Sequence, residues 1–80
     1  MPTIREGAWR LIIIPQDHDP RHVHAMLGKD GPEVVVRLGD AGEVEPIKAD
    51  RDLTTAEVRK GLAAVQKHFD ALVALWEAYC

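Results

Sequence analysis

The sequence predicts an α+β fold: a small antiparallel sheet of three to four strands packed on one long C-terminal helix. Three observations carry this expectation. β-Branched and alternating apolar runs, separated by Gly, Pro and Asp, fill the first half of the chain. An apolar stripe at alternating steps of four and three then runs through Val58, Leu62, Val65, Phe69, Leu72, Trp76 and Tyr79. Just ahead of it, "LTTAEV" has the pattern of a helix start.

Taken in order, "WRLIIIP" reads as a strand over about 9–15, closed by Pro15. "HVHAMLG" is a second strand over about 22–28. Its alternation puts Val23, Ala25 and Leu27 on the core face and His22, His24 and Met26 on the other. "GKDGP" supplies turn residues, and "EVVVRL" returns as a strand over 33–38. Setting Val34, Val36 and Leu38 on the core face pairs Leu27 with Val34, which places His24 opposite Arg37. After "GDAG", the segment 43–48 contains Pro46 and fits a short edge strand.

The helix is expected over about 55–79. Thr54 is its N-cap, with Glu57 three residues on as the second half of a capping box, and Leu53 and Val58 stand at hydrophobic-staple positions. Gly61 costs about 1 kcal/mol relative to alanine inside a helix, which caps and packing must offset. Ala64, Ala71, Leu75 and Ala78 widen the apolar arc beyond one seam. Such an arc either sinks into the chain's own sheet or meets a second copy of the chain or a partner helix.

Eighty residues make a single domain, 1–80, and its 46% hydrophobic content is ordinary for a globular protein. The net charge is −3, with five basic and six acidic residues in the first forty positions and five and seven in the last forty. No basic stripe stands out, so any contact with RNA or DNA would be local. Cys80 is the single cysteine, which excludes an internal disulfide and fits a reducing cytoplasm. "LIII" is too short to span a membrane, and "MPTIREGAW" lacks the apolar core of a signal peptide, so the expectation is a cytoplasmic protein without membrane contact.

The chemistry concentrates in "DHDPRHVH", residues 17–24, which holds three of the four histidines. His18 and His22 have the spacing of a helical metal pair, but Pro20 between them argues against a helix and for a turn. His22 and His24, two apart on a strand, project from the same face. With His18 brought back by the turn and Asp17 beside it, these imidazoles form a possible site for zinc or a similar divalent ion. An alternative is metal-free acid–base chemistry by His22, His24 and His18. There Arg37 across the strand and Arg21 in the turn would donate to a phosphate, as cleavage of an RNA backbone requires. A third reading leaves the histidines as a solvated sheet face. His68, at the edge of the helix stripe, reads as a partly buried structural residue.

The chain also resembles a family of small bacterial domains of unknown function. Its members open "MPTI", carry an Asp-His-x-Pro-x-His-x-His core, and end in a helix with His-x-x-x-Leu-x-x-x-Trp. The matching residues are "MPTI", "DHDPRHVH", and His68, Leu72 and Trp76. The resemblance marks Asp17, His18, Pro20, His22 and His24 as the family core. It implies the toxin of a type II toxin–antitoxin pair (DhiT-like), with a small companion protein, the antitoxin, as partner. Arg21 stands where the family has a second proline, and "LIII" lacks the aromatic residues of relatives.

Overall fold

In the computed structural model, which describes residues 1–80, the alternating first half forms five strands rather than three or four. They are β1 (Thr3–Glu6), β2 (Trp9–Ile12), β3 (His22–Leu27), β4 (Glu33–Leu38) and β5 (Val44–Ala49). All neighbours are antiparallel, and the spatial order β1-β2-β3-β4-β5 is a simple meander. The additional strand is "TIRE". Gly7, at φ +58°, turns the chain in two residues, so that Glu6 pairs with Trp9 and Thr3 with Ile12. Four residues are too few to show a period, and pairing with β2 is what makes them a strand.

The β3–β4 register differs from expectation by two residues. His22, not His24, lies opposite Arg37, while His24 pairs with Val35 and Ala25 with Val34. The connection is longer than "KDGP": the Leu27 N–H donates to the Pro32 carbonyl at 2.9 Å, and the Gly28 N–H turns away to the Ala8 carbonyl at 2.7 Å. A slip of two keeps every side chain on its face. Val23, Ala25, Val34 and Val36 are accordingly all fully buried. Strand β2 is shorter than the expected 9–15. At β5, Val36 pairs with Pro46 and Val35 with Lys48, leaving Ile47 as the extra residue of a bulge on this edge strand.

The expected single helix is two: α1 (Thr55–Lys67) and α2 (Phe69–Tyr79), joined at His68, whose φ and ψ of −107° and 20° are not helical. The capping box at Thr54 and Glu57 is present, and Leu53 is buried beneath it. No helix-breaking residue stands at the joint. What sets it apart is tertiary: Glu6, at the end of β1, accepts from His68 Nε2 at 2.8 Å and Lys67 Nζ at 3.1 Å. These bonds hold the Glu6 carboxyl below its usual range. The apolar stripe runs through the bend, with Val65, Leu72 and Trp76 buried and Tyr79 exposed. Of the residues that widen the arc, Ala64 is buried and Leu75 half-buried, while Ala71 and Ala78 are exposed.

α1 lies across β2 to β5 and closes the core over Trp9, Leu11, Val34 and Val36. No helix is long and apolar enough to cross a membrane. Gly61 lets α1 approach the sheet closely, since a Cβ there would stand 3.0 Å from the Trp9 ring and 3.2 Å from Val34 Cγ1. Gly61→Ala should therefore destabilise the protein. The helix-propensity gain of about 1 kcal/mol is outweighed by overpacking that typically costs about 1–3 kcal/mol. Chemical denaturation measures the balance, and a lower midpoint at unchanged slope is the expected result.

Candidate metal centre

The site begins with the two-residue period of β3. Val23 and Ala25 are sunk in the core, so His22 and His24 share the opposite face, their rings edge-to-face with centroids 5.3 Å apart. The loop between β2 and β3 brings Asp17 back to them. Its path includes Gln16 at φ +63°, whose N–H donates to the Tyr79 carbonyl at 2.8 Å, and a cis Asp19–Pro20 bond. The histidines do not form a solvated face: their side chains are only 13% and 19% exposed. Trp76 of α2 lies against the His22 ring at a centroid distance of 5.2 Å.

His22 has a partner at both ring nitrogens and His24 at one. His22 Nδ1 is 2.7 Å from the Pro20 carbonyl oxygen, which can only accept, so Nδ1 carries the proton. His24 Nδ1 is 2.8 Å from Glu33 Oε2 and donates to that carboxylate. In the neutral rings both Nε2 atoms then present lone pairs. His22 Nε2 stands 2.8 Å from Asp17 Oδ2, and His24 Nε2 stands 3.8 Å from the same oxygen. His24 Nε2 is buried and has no hydrogen-bond partner. Asp17, His22 and His24 thus offer three ligand atoms within 4.8 Å of one another.

This pattern of electron pairs could hold a cation. A proton on His22 Nε2 satisfies the 2.8 Å contact with Asp17 but leaves His24 Nε2 unpaired. A proton on His24 Nε2 finds its nearest carboxylate at 3.8 Å, outside hydrogen-bond range. One divalent ion touching all three atoms satisfies both nitrogens. Ligand atoms around a tetrahedral zinc with bonds of about 2.1 Å stand about 3.4 Å apart, between the 2.8 and 3.8 Å that separate the two Nε2 atoms from Asp17 Oδ2. The outer contacts also fit, because a metal-bound histidine donates its other N–H to a carboxylate or a carbonyl.

The other expected residues fall differently. The His18 side chain is 93% exposed, with Nδ1 3.4 Å from Asp17 Oδ1, so it does not join His22 and His24. In the turn, consecutive residues project to different sides, and the inward position belongs to Asp17. Arg37 shares the His22 face, but its Nε donates to Glu45, which also raises the guanidinium pKa. Arg21 donates to the carbonyls of Leu38 and Gly39 at 3.3 and 2.9 Å.

Glu33 and Trp76 are the site residues that the sequence reading did not place there. Glu33 lies diagonal to His24 only in the observed register. Trp76 was legible as part of the helix stripe but not as a neighbour of the histidines, because the bend at His68 directs α2.

The fold and the site define a small α+β domain that gathers two imidazoles and a carboxylate at one end of a meander sheet. The family described as Domain of unknown function (DUF4160) matches residues 9–77, and the chain belongs to it. No curated protein and no solved structure shows a significant match.

Partial desolvation pushes the Asp17 carboxyl up. The His18 backbone N–H, together with a proton on His22 Nε2 in the metal-free protein, outweighs it and holds the group below its usual value of 3.8. A carboxyl lowered on folding contributes stability that is complete above its unfolded pKa and is lost as the pH falls through the folded one. In chelator-treated protein, Asp17→Asn should lower the melting temperature at pH 6. The gap to wild type should close as the pH falls below about 3.9, the ordinary aspartate value. Thermal melts across that range check it.

Proposed function

We propose that the protein is a metal-binding module in which Asp17, His22 and His24 hold one divalent ion of the zinc class. The observation that supports this most directly is the buried Nε2 of His24, unpartnered because its Nδ1–H is already given to Glu33. Leaving such an atom unsatisfied costs about 1–3 kcal/mol, a large part of the stability of a small domain, and an ion removes that cost. The enclosure of the rings suits a small ion rather than a bulky ligand.

Purified protein should bind one equivalent of Zn²⁺ or Co²⁺ and melt at a higher temperature with the ion. Linkage gives about 2.7 kcal/mol at a free concentration 100 times the Kd. His24→Ala should abolish both effects while the metal-free protein stays folded. A wild type that retains no metal and melts identically with and without zinc would sink the proposal.

A second reading extends the first. Of the motif residues Asp17, His18, Pro20, His22 and His24, all but His18 contribute to this one site. They are also the residues through which the chain resembles the toxins of type II toxin–antitoxin pairs. In this reading Asp17, His22 and His24 would hold an ion that would supply Lewis-acid polarisation of an RNA phosphodiester. A cleft of about 350 Å³ lies alongside, bordered by Arg21 and Arg37 and also by Asp19 and Asp40. Metal-free acid–base chemistry has less support, since His22 Nδ1 already has a protein partner. Induced expression should arrest bacterial growth, a small companion protein should relieve the arrest, and Asp17→Ala with His24→Ala should be harmless. Normal growth under wild-type expression would end this reading and leave the metal module untouched.

A further inference from the structure

We infer that Glu33 is the positioning residue of the site: its carboxylate fixes His24 as the Nδ1–H tautomer and so aims the Nε2 lone pair at the ion. The inference rests on the metal reading of Asp17, His22 and His24. Three observations carry it.

First, the Glu33 side chain makes a single hydrogen bond, to His24 Nδ1 at 2.8 Å, although it is 36% exposed and free to point into water. Secondly, its backbone is pinned from both sides. The Glu33 N–H donates to Asp50 Oδ2 at 2.9 Å, and the Asp50 N–H donates to the Glu33 carbonyl at 3.0 Å. These bonds fix the start of β4 against the end of β5 and set the point from which the carboxylate reaches His24. Thirdly, the two histidines are held by different means. His22 is oriented by the Pro20 carbonyl, a backbone group that side-chain replacement leaves in place. His24 has no backbone acceptor, and Glu33 is its one orienting partner.

Without Glu33, His24 is free to carry its proton on Nε2, where it blocks the ligand atom. The carboxylate also makes the imidazole a better donor toward a cation. Charge agrees as well: Asp17 at the ion and Glu33 behind His24 supply two negative charges for one dication. An ion pair formed only for surface stability would leave metal affinity unmoved.

The test compares wild type, Glu33→Ala and Glu33→Gln by Co²⁺ titration read from visible absorption. Long-range ¹H–¹⁵N NMR of the imidazoles reports the His24 tautomer in the metal-free proteins. Wild type should show Nδ1 protonated and Nε2 bare. Glu33→Ala should populate the Nε2–H form and bind Co²⁺ roughly 10–100-fold more weakly. Glu33→Gln, whose amide oxygen still accepts the Nδ1–H, should keep the tautomer and recover part of the affinity. Its fold control is the circular dichroism spectrum. If Glu33→Ala binds Co²⁺ as tightly as wild type, or keeps Nδ1 protonated, the positioning role is wrong while the metal site stands. If wild type itself binds no Co²⁺, the metal reading falls and this inference with it.

Discussion

The alternation of β3 is the constraint on which the rest of the molecule depends. Within six residues it places Val23 and Ala25 at the centre of the core and His22 and His24 side by side on the reverse face. Burial on one side makes the register costly to change, because a slip of one residue would drive both imidazoles into the core. The histidines are therefore held to their positions by the hydrophobic residues between them. A pair on a loop would have no such enforcement.

Around that strand, each further group removes a degree of freedom. The Pro20 carbonyl and the Glu33 carboxylate take the outer nitrogens, and Trp76 packs on the His22 ring. Asp17 arrives on a loop whose neighbours are tied to the end of α2 through Gln16 and Ile14. The arrangement gathers acceptors without enough donors among them. Locally this opposes stability, and such conflict between local and global preference is characteristic of functional positions. It contrasts with the Glu6, Lys67 and His68 cluster at the helix bend, where each oxygen of the carboxylate meets a donor.

Much of the architecture was legible in the chain. The capping box at Thr54, the edge position of Pro46 and the core faces of β3 and β4 follow from short-range chemistry and periodicity. Strand β1 did not, because "TIRE" becomes a strand only when β2 is alongside. The division of the helix did not: no helix breaker stands at His68, and the contacts found there are to Glu6, more than sixty residues away in sequence. His18 and Asp17 show the same limit at the site. Both belong to one turn, and the turn's actual path decided that the carboxylate points inward and the imidazole outward.

By itself, then, the sequence determined that Val23 and Ala25 meet the core and that His22 and His24 project together, since both follow from a period of two along one strand. The tertiary structure decided what those imidazoles face. The β3–β4 register brought Glu33 rather than Arg37 to His24, and the bend at His68 brought Trp76 to His22. Register and helix direction are set by contacts between segments distant in the chain, and local patterns carry no record of them.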